Sequence, residues 1–309
     1  MNEGEFDLIR RLFKHAGGSR KAFTRVGIGD DASVHRPPAG MDLVVSSDSS
    51  VQDAHWPDDF PLDQAADRAI CSALSDLAAM GAEPVCAWLN VMANDNHAVE
   101  SMGAGSTRAL KRYDVELAGG DTCRSATNAI SVTVAGQLPE GSAMRRDTAL
   151  AEDDIWLAGR AGFHALGLQQ WLNDMKDGDF VPCFETITPQ LATGIQLRKA
   201  GVACCIDISD GLLQDAGHIA TASGIGMDIE ITSLPDWHVL CQAVGDAQAL
   251  QLMAHGGEDY ALLFTAPAGI YFPDGLAVCI GHCREGSGVI LRMHGETTNV
   301  EKAGFDHFG

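Results

Sequence analysis

Hydrophobic residues recur along most of the chain with the spacing of helices and strands, and glycine-rich acidic segments separate them. Ile70, Leu74, Leu77 and Met80 form an apolar stripe, which predicts a helix that begins near Asp63 as its N-cap and ends before Gly81. Comparable patterns predict helices over roughly 6–13, 99–113, 163–172, 189–199 and 212–222, and strands over roughly 43–47, 85–91, 115–118, 130–134, 155–158, 203–208, 227–231, 260–265 and 276–280. The mixture of the two kinds of element predicts an α/β fold of the mixed α+β kind.

Residues 138–154 are rich in glycine, proline and charge, and they interrupt this pattern. At 309 residues the chain is long for one hydrophobic core and comfortable for two. We therefore predict two domains that meet at about residue 140. The first, over 1–140, is a domain of sheet and helices, and the second, over 141–309, is a mixed α/β domain.

The charge of the chain narrows the choice of partners. It carries 42 acidic and 21 basic residues, a formal net charge of −21. A nucleic acid or an anionic membrane would require a basic surface, so we expect neither as a partner. The first residues lack the form of a signal peptide, and no apolar run is long enough to span a bilayer, so we expect a cytoplasmic protein. The nine cysteines have no paired spacing and are expected to be reduced thiols.

Six short acidic motifs stand where a strand or helix is predicted to meet a loop. They are Gly27-Ile28-Gly29-Asp30-Asp31, Ser46-Ser47-Asp48, Ser75-Asp76-Leu77, Gly119-Gly120-Asp121-Thr122, Asp207-Ile208-Ser209-Asp210-Gly211 and Gly256-Gly257-Glu258-Asp259-Tyr260. A single such motif would be an ordinary turn, whereas six in one chain predict carboxylates delivered to a common pocket. That pocket would repel a polyphosphate unless divalent cations lay between, and Mg²⁺ prefers hard oxygen ligands. The motifs therefore predict an enzyme that binds a nucleotide with Mg²⁺.

With these motifs in place, the chain resembles the thiamine-monophosphate kinases, which belong to the superfamily of aminoimidazole ribonucleotide synthetase-like ATP-binding proteins. The matching stretches reach from one end of the chain to the other: GEFDLI at 4–9, GIGDDA at 27–32, SSDSSVQDAHW at 46–56, LSDLAAMGAEP at 74–84, GGDT at 119–122, IDISDGL at 206–212, GHIATASG at 217–224, GGEDYALLFT at 256–265 and GFDHF at 304–308. LSDLAAMGA, IDISDGL and GGEDY carry most of the specificity.

The resemblance implies a reaction and an assembly. The reaction is direct transfer of the γ-phosphoryl group of ATP to thiamine monophosphate, with several Mg²⁺ ions, as the last step of thiamine diphosphate biosynthesis. The implied assembly is a homodimer joined through the N-terminal sheets. The N-terminal domain would bind ATP and Mg²⁺, and the C-terminal domain would close the active site.

The resemblance also implies roles for individual residues. As metal ligands it gives Asp31, Ser46, Ser47, Asp48, Asp76, Asp121, Asp207 and Asp210. As residues that bind ATP it gives Gly120, Asp121, Ser209 and Arg146. Tyr113 is a further candidate for the ATP site, and the alternative for this tyrosine is a packing role in the core. For thiamine monophosphate it gives His55 and Glu258, with Phe305 stacking near the rings.

Elementary chemistry agrees with these roles. Transfer between two phosphates brings anions together, so positioning and charge neutralisation are the main tasks. The accepting phosphate oxygen is already ionised, so we expect no covalent nucleophile, and no triad of nucleophile, histidine and acid is apparent. Glycines beside the acids would let backbone N–H groups approach the phosphates closely.

The chain departs from the family pattern at a few positions. Ala73 stands where the family favours Asn, and Gly162-Phe163-His164-Ala165 stands where it has a Gly-Asp-Ser-Ala turn. Two alternatives therefore stay open: another ATP-dependent enzyme of the superfamily, and a Mg-nucleotide-binding module without turnover. A selenophosphate synthetase would need a reactive cysteine in the N-terminal segment, whereas the first cysteine here is Cys71.

Overall fold

The computed structural model of this protein describes residues 10–14, 16–273, 275–298 and 300. The chain divides into two compact units. The first contains the described residues up to Leu77 together with Ala82–Gly141, and the second contains Ala78–Gly81 and the described residues from Ser142 onward. Each unit has a β-sheet and helices, which confirms the mixed α/β fold predicted from the sequence pattern.

The first unit is built on four long strands. They are β3 (Met41–Val51), β4 (Glu83–Ala93), β5 (Glu116–Arg124) and β6 (Ala129–Pro139), preceded in the chain by the short antiparallel pair β1 (Thr24–Val26) and β2 (Val34–His35). The long strands form one sheet in the order β3-β6-β4-β5. β4 and β5 run parallel, whereas β6 is antiparallel to both β3 and β4.

Two long helices accompany this sheet in the described part of the unit, α1 (Leu62–Ala79) and α2 (Asn96–Arg112). Residues 10–13 are also helical, and the rest of the helix predicted over 6–13 lies outside the described residues. Ile70, Leu74 and Leu77 of the predicted stripe are completely covered, whereas Met80 follows α1 and is half-buried. The alternating apolar residues of β6 are also completely covered. α2 begins after Asp95, whose Oδ1 accepts the N–H of Ala98 at 2.8 Å. Both helices were predicted from apolar periodicity, to within a few residues at each end.

Two strands run further than their patterns predicted and carry acids inside the sheet. β3 pairs with β6 along all of its 11 residues, so Asp48 lies within the strand. β5 continues through Gly120 to Arg124, so Asp121 also lies within a strand. The expectation that both acids follow a strand end is wrong. Pairing with a neighbouring strand extends these serine- and glycine-rich segments despite their weak intrinsic preference for β structure.

The second unit is built on a larger sheet. Its strands are β7 (Asp153–Ala158), β8 (Cys204–Asp207), β9 (Gly226–Glu230), β10 (Leu262–Pro267), β11 (Val278–Arg284), β12 (Gly288–Met293) and β13 (Glu296–Thr297). They are hydrogen-bonded in the order β13-β12-β9-β11-β7-β10-β8. β9 and β12 run parallel, and the other neighbouring pairs of described strands are antiparallel.

Six helices belong to this unit within the described part of the chain. They are α3 (Phe163–Leu172), α4 (Val181–Glu185), α5 (Leu191–Lys199), α6 (Leu212–Ser223), α7 (Trp237–Val244) and α8 (Asp246–His255). The sequence pattern predicted α3, α5 and α6 and missed the other three. One core holds the unit together; it includes Leu157 of β7, Ile219 of α6 and Leu263 of β10, all completely covered.

The structure describes the state of the cysteines and the character of the helices. All nine cysteines are free thiols, and burial raises the pKa of Cys71 and of Cys86 to about 12. Among the residues that the structure describes, none of the helices has the length and apolar character needed to cross a membrane.

Candidate functional site

Two acidic residues of the first unit meet where β3 lies beside α1. Ser72 and Asp76 are four residues apart on α1 and therefore on one face of the helix. Ser72 Oγ donates to Asp48 Oδ2 at 3.1 Å, and Ser46 Oγ donates to Asp76 Oδ2. Burial and the nearby charge of Asp76 raise the pKa of Asp48 to about 6, against the opposite effect of the Ser72 hydrogen bond.

The oxygen atoms of this group suit a divalent cation. Carboxylates are the ligands that Mg²⁺ takes from proteins, and serine hydroxyls join them in phosphate-binding sites. A bound cation would also offset the repulsion that contributes to the raised pKa of Asp48. Ser46, Asp48 and Asp76 therefore fit the metal that the sequence predicts.

Ser47 lies on the opposite face of β3. Its Oγ is 3.0 Å from Thr133 Oγ1 on the neighbouring strand β6. Because side chains alternate across a strand, the Ser47 hydroxyl points away from the side to which Ser46 and Asp48 point. The Ser47 hydroxyl thus lies apart from this group, and the role of Ser47 as a metal ligand stays a prediction.

A cavity of about 420 Å³ lies in the first unit, lined by the loop 27–33 and by residues 117–122 of β5. Asp31 and Asp121 line it, together with Gly120 and the apolar side chains of Ile28 and Trp88. Its size is that of an ordinary small-molecule site. Two of the predicted metal ligands and the predicted phosphate-binding glycine therefore share one cavity.

The loop 27–33 is fixed to the sheet by its last residue. Trp88 Nε1 donates to Ser33 Oγ at 2.9 Å, and Ser33 Oγ is 2.8 Å from His35 Nε2. Within the loop, Asp30 Oδ1 accepts the N–H of Asp31 at 2.9 Å. Asp30 is thus a turn-forming residue, as its position between glycines suggests.

At Gly120 the backbone of β5 lies close to the backbone of β4. Its φ is +150°, and a Cβ at this position would lie 1.9 Å from the carbonyl oxygen of Leu89. A side chain is excluded there, so the backbone itself forms this part of the cavity wall. This is the property that a contact with a phosphate group would use.

The strand register separates Asp121 from Asp48. Asp121 pairs with Asn90, whereas Asp48 lies in the adjacent row with Val132 and Leu89. Asp48 and Asp121 therefore lie in different rows of the sheet and on strands that are not neighbours. The predicted acids of the first unit therefore form two groups, Asp48 with Asp76 and Asp31 with Asp121.

His55 and Tyr113 are not among the residues that line the cavity. His55 Nδ1 accepts the backbone N–H of Val51 at 3.1 Å, where β3 ends. Tyr113 follows the last residue of α2 and is half-buried, and desolvation raises the pKa of its hydroxyl to about 12. The nucleotide role of Tyr113 and the substrate role of His55 both stay predictions.

In the second unit, β8 ends at Asp207, and a turn of four residues leads into α6. Asp215, in the first turn of α6, accepts the N–H groups of Ser209, Asp210 and Gly211 at 3.0, 3.1 and 3.2 Å. Burial and the charge of Asp210 raise the pKa of Asp215 to about 7. The backbone N–H groups of the turn thus donate to Asp215. A contact between Ser209 and a phosphate would therefore use the hydroxyl group of Ser209.

Asp210, Asp215 and His218 form a further group of possible metal ligands. One donor atom from each lies within 4.8 Å of the other two. Sequence reasoning singled out Asp210 and missed the other two residues. The available signal was the spacing on α6, since residues 215 and 218 are one helical turn apart and follow the acidic loop directly.

The segment 256–260 is hydrogen-bonded to the turn before α6. Glu258 N donates to Ser209 O at 2.8 Å, and Tyr260 N donates to Ile208 O at 2.9 Å. Glu258 and Tyr260 have φ values of +61° and +51°, an uncommon backbone conformation outside glycine that is frequent at binding sites. The structure therefore brings together Ser209, which is predicted to bind ATP, and Glu258, which is predicted to bind thiamine monophosphate.

Two predicted residues remain. Of the adjacent arginines, Arg145 pairs with Asp147, Nε to Oδ1 at 2.9 Å. Arg146 is exposed, and its carbonyl oxygen accepts the hydroxyl of Ser223 at 3.1 Å. A polyphosphate contact by the Arg146 side chain stays a prediction. Phe305 lies outside the described residues.

Comparison with known proteins places these residues in a family. The model described as AIR synthase related protein, N-terminal domain, matches residues 29–138. The thiamine-monophosphate kinase of Salmonella typhimurium (strain LT2) is 37% identical over 275 residues, which cover 85% of this chain and 83% of that protein.

Solved structures agree with the sequence comparison. Thiamine-monophosphate kinase from Stenotrophomonas maltophilia K279a matches with a TM-score of 0.81 at 32% identity, covering 94% of this chain and 96% of that one. A structure described as AaThiL complexed with AMPPCP and TMP matches with a TM-score of 0.79 at 27% identity, covering 99% of this chain and 97% of that one.

Proposed function

This chain belongs to the thiamine-monophosphate kinase family, and we propose on that basis that it transfers the γ-phosphoryl group of ATP to thiamine monophosphate. The products are thiamine diphosphate and ADP. The observation that carries the proposal is the similarity, over 99% of this chain, to a structure that holds AMPPCP and TMP. The departures at Ala73 and at 162–165 leave the acidic motifs intact.

Magnesium is the cofactor that the acidic residues fit. We assign its ligands to Ser46, Asp48 and Asp76 beside α1, to Asp31 and Asp121 in the cavity, and to Asp207 and Asp210 in the second unit. Bound Mg²⁺ would neutralise phosphate charge and polarise the phosphoryl oxygens.

The remaining work is positioning by the residues of the chain. Gly120 lets a phosphate approach the backbone of β5, and the positive charge of Arg146 attracts the polyphosphate. Glu258 faces the acceptor substrate. The accepting phosphate oxygen is already ionised at neutral pH, so the transfer is direct and no side chain forms a covalent intermediate.

We propose further that the protein is a homodimer. β3 is an edge strand, and Leu43 and Val45, which lie on its face opposite Asp48, are 50% and 55% exposed. Apolar side chains on an open sheet face are typical of a surface that another protein covers. A second copy of this sheet is the expected occupant, and the mass of the protein in solution tests this.

The division of labour between the domains stays a prediction. Residues 1–140 would bind ATP and Mg²⁺, and residues 141–309 would close the active site. A cytoplasmic location is likewise a prediction, in keeping with the acidic composition.

The proposed function is tested by the formation of thiamine diphosphate from thiamine monophosphate, ATP and Mg²⁺. We expect product that is lost when EDTA removes the metal, and no reaction when free thiamine replaces the monophosphate. Mg-ATP binding without product would contradict the proposal and favour one of the two alternatives, another activity of the superfamily or a binding module without turnover.

A further inference from the structure

His164 connects two neighbouring acids of the second unit. Its backbone N–H donates to Asp259 Oδ1 at 3.1 Å, and its ring Nε2 lies 3.0 Å from Glu258 Oε2. Asp259 Oδ2 also accepts the N–H of Gly162 at 2.6 Å. Both carboxylates of the Glu258-Asp259 pair therefore contact the start of α3.

Asp259 caps α3 from a distant part of the sequence. Gly162 precedes the helix and has no side chain with which to bind the first amides. These amides have no partner within the helix. The carboxyl oxygens of Asp259 accept the N–H groups of Gly162 and His164, which fixes the backbone at residue 259, and with it Glu258, against α3.

The two segments also touch through their backbones. A Cβ on Gly256 would lie 2.4 Å from the carbonyl oxygen of Leu252 and 2.9 Å from Ala165 Cβ. A Cβ on Gly162, whose φ is +84°, would lie 2.8 Å from the backbone of Leu252. The loop that carries Glu258 is thus packed against the turn that carries His164, with no room for a larger residue at either glycine.

The ring of His164 is held in one orientation. The residue is 4% exposed, and its ring lies edge-on to that of the fully buried Phe184, with 5.4 Å between the ring centroids. The side chain of Glu258 keeps 28% of its surface exposed. A buried imidazole therefore contacts a carboxylate that remains accessible to a ligand.

We propose that His164 is a positioning residue for Glu258, and that the carboxylate so fixed binds the cationic part of the acceptor substrate; this rests on the proposed function. Thiamine monophosphate has a positively charged thiazolium ring and an anionic phosphate, and a carboxylate attracts the first and repels the second. The Nε2–H of His164 donates to Oε2 of Glu258, while 28% of the Glu258 side-chain surface stays exposed to a ligand.

Variants at residue 164 separate positioning from packing. His164→Leu removes the donor, whereas His164→Gln keeps an N–H at a similar reach. We expect His164→Leu to raise the KM for thiamine monophosphate about tenfold while the KM for ATP and kcat change less than about twofold. His164→Gln should return the KM to within about threefold of the parent value. His282→Leu, at an exposed histidine of β11, is the matched control and should change neither KM.

A double variant tests whether the two residues act together. Glu258→Gln should raise the KM for thiamine monophosphate, and adding His164→Leu should raise it no further, because both changes act on one contact. Additive effects, an equal rise of both KM values, or a His164→Gln variant as impaired as His164→Leu would each overturn the positioning role.

The ¹⁵N resonances of the histidine rings give a measurement that needs neither turnover nor a folded His164→Leu variant. Glu258→Gln should shift the His164 signal, which is assigned by its loss in His164→Gln, and leave the His282 signal in place. An unmoved His164 signal in an active enzyme overturns the proposal. A parent enzyme that makes no thiamine diphosphate overturns the proposed function and the substrate role with it, whatever the signal does.

Discussion

Asp48 on β3 and Asp76 on α1 are close enough for the charge of one to raise the pKa of the other. Together with burial, this takes the pKa of Asp48 to about 6. Ser72 and Ser46 each donate a hydroxyl hydrogen bond to one of the two carboxylates. Two carboxylates held this close repel each other when both are ionised, and the repulsion destabilises the fold. A cation bound between them would offset the repulsion and would have both carboxylates as ligands.

Replacement of Asp48 should separate function from stability. Asp48→Asn removes a proposed magnesium ligand and relieves the repulsion with Asp76. We expect turnover to fall by at least about a hundredfold, with an unfolding free energy equal to or above that of the parent. Asp42→Asn, an exposed change on the same strand, should retain turnover. Near-normal turnover of Asp48→Asn at saturating Mg²⁺ would remove Asp48 from the ligand set.

Magnesium should stabilise the parent protein more than a variant that lacks one of its ligands. A ligand that binds the native state alone raises Tm, by a few degrees for about 1 kcal/mol in a chain of this length. We expect a Mg²⁺-dependent rise in Tm for the parent and for Asp42→Asn, and a smaller rise for Asp76→Asn. Equal shifts in all three proteins would show that Asp76 does not bind the ion.

Much of the fold was predictable because apolar periodicity reports burial directly. The range predicted for α3 is the one observed, because Gly162 precedes an apolar run and indicates where the helix begins. The interior position of Asp48 was not predictable, because the length of β3 depends on its pairing with β6, a contact distant in sequence. The sequence pattern did not predict α7 and α8. Gly245 alone separates these two helices, so the sequence gives little indication of where one ends and the next begins.

The candidate site was less predictable than the fold. The acidic motifs predicted one common pocket for their carboxylates, and the structure shows Asp48 and Asp76 as neighbours. The hydroxyl of Ser47 lies on the other face of β3, because side chains alternate along the strand. Asp215 could not be singled out, because its role depends on three backbone amides of a folded turn. Residue identity predicts the chemistry of a group, whereas the strand register and the turn geometry decide which groups meet.

Gly120 should tolerate no side chain. Gly120→Ala would put a Cβ 1.9 Å from the Leu89 carbonyl oxygen in a paired strand, and we expect it to lower the unfolding free energy by about 2–4 kcal/mol. Gly217→Ala is the matched control, because a Cβ there meets nothing within 4 Å and the residue lies inside α6. It should stabilise the protein by roughly 0.5–1 kcal/mol. Denaturant unfolding of both variants measures the contrast, and equal effects would contradict the close approach of β5 to β4.

Asp259 should make stability depend on pH. Burial raises its pKa in the folded protein from 3.8 to about 7. The folded state therefore keeps a proton that the unfolded state has released, so this contribution to stability is complete below pH 4 and is lost as the pH rises through 7. We expect the stability of the parent relative to Asp259→Asn to fall by about 2–4 kcal/mol between pH 4 and pH 8.

The control for this pH dependence is Asp177→Asn, at an exposed acid between α3 and α4. Its unfolding free energy should follow that of the parent across the same range. Parallel curves for the parent and Asp259→Asn would show that the carboxyl of Asp259 titrates with an ordinary pKa in the folded state.

Direct transfer to thiamine monophosphate is the central claim, and a single-turnover reaction with ATP labelled with ³²P in its γ-phosphate tests it most directly. With Mg²⁺ and thiamine monophosphate present, we predict that the label passes to thiamine diphosphate in step with ADP formation and never becomes attached to the protein. Labelled protein, or labelled inorganic phosphate without thiamine diphosphate, would contradict the account.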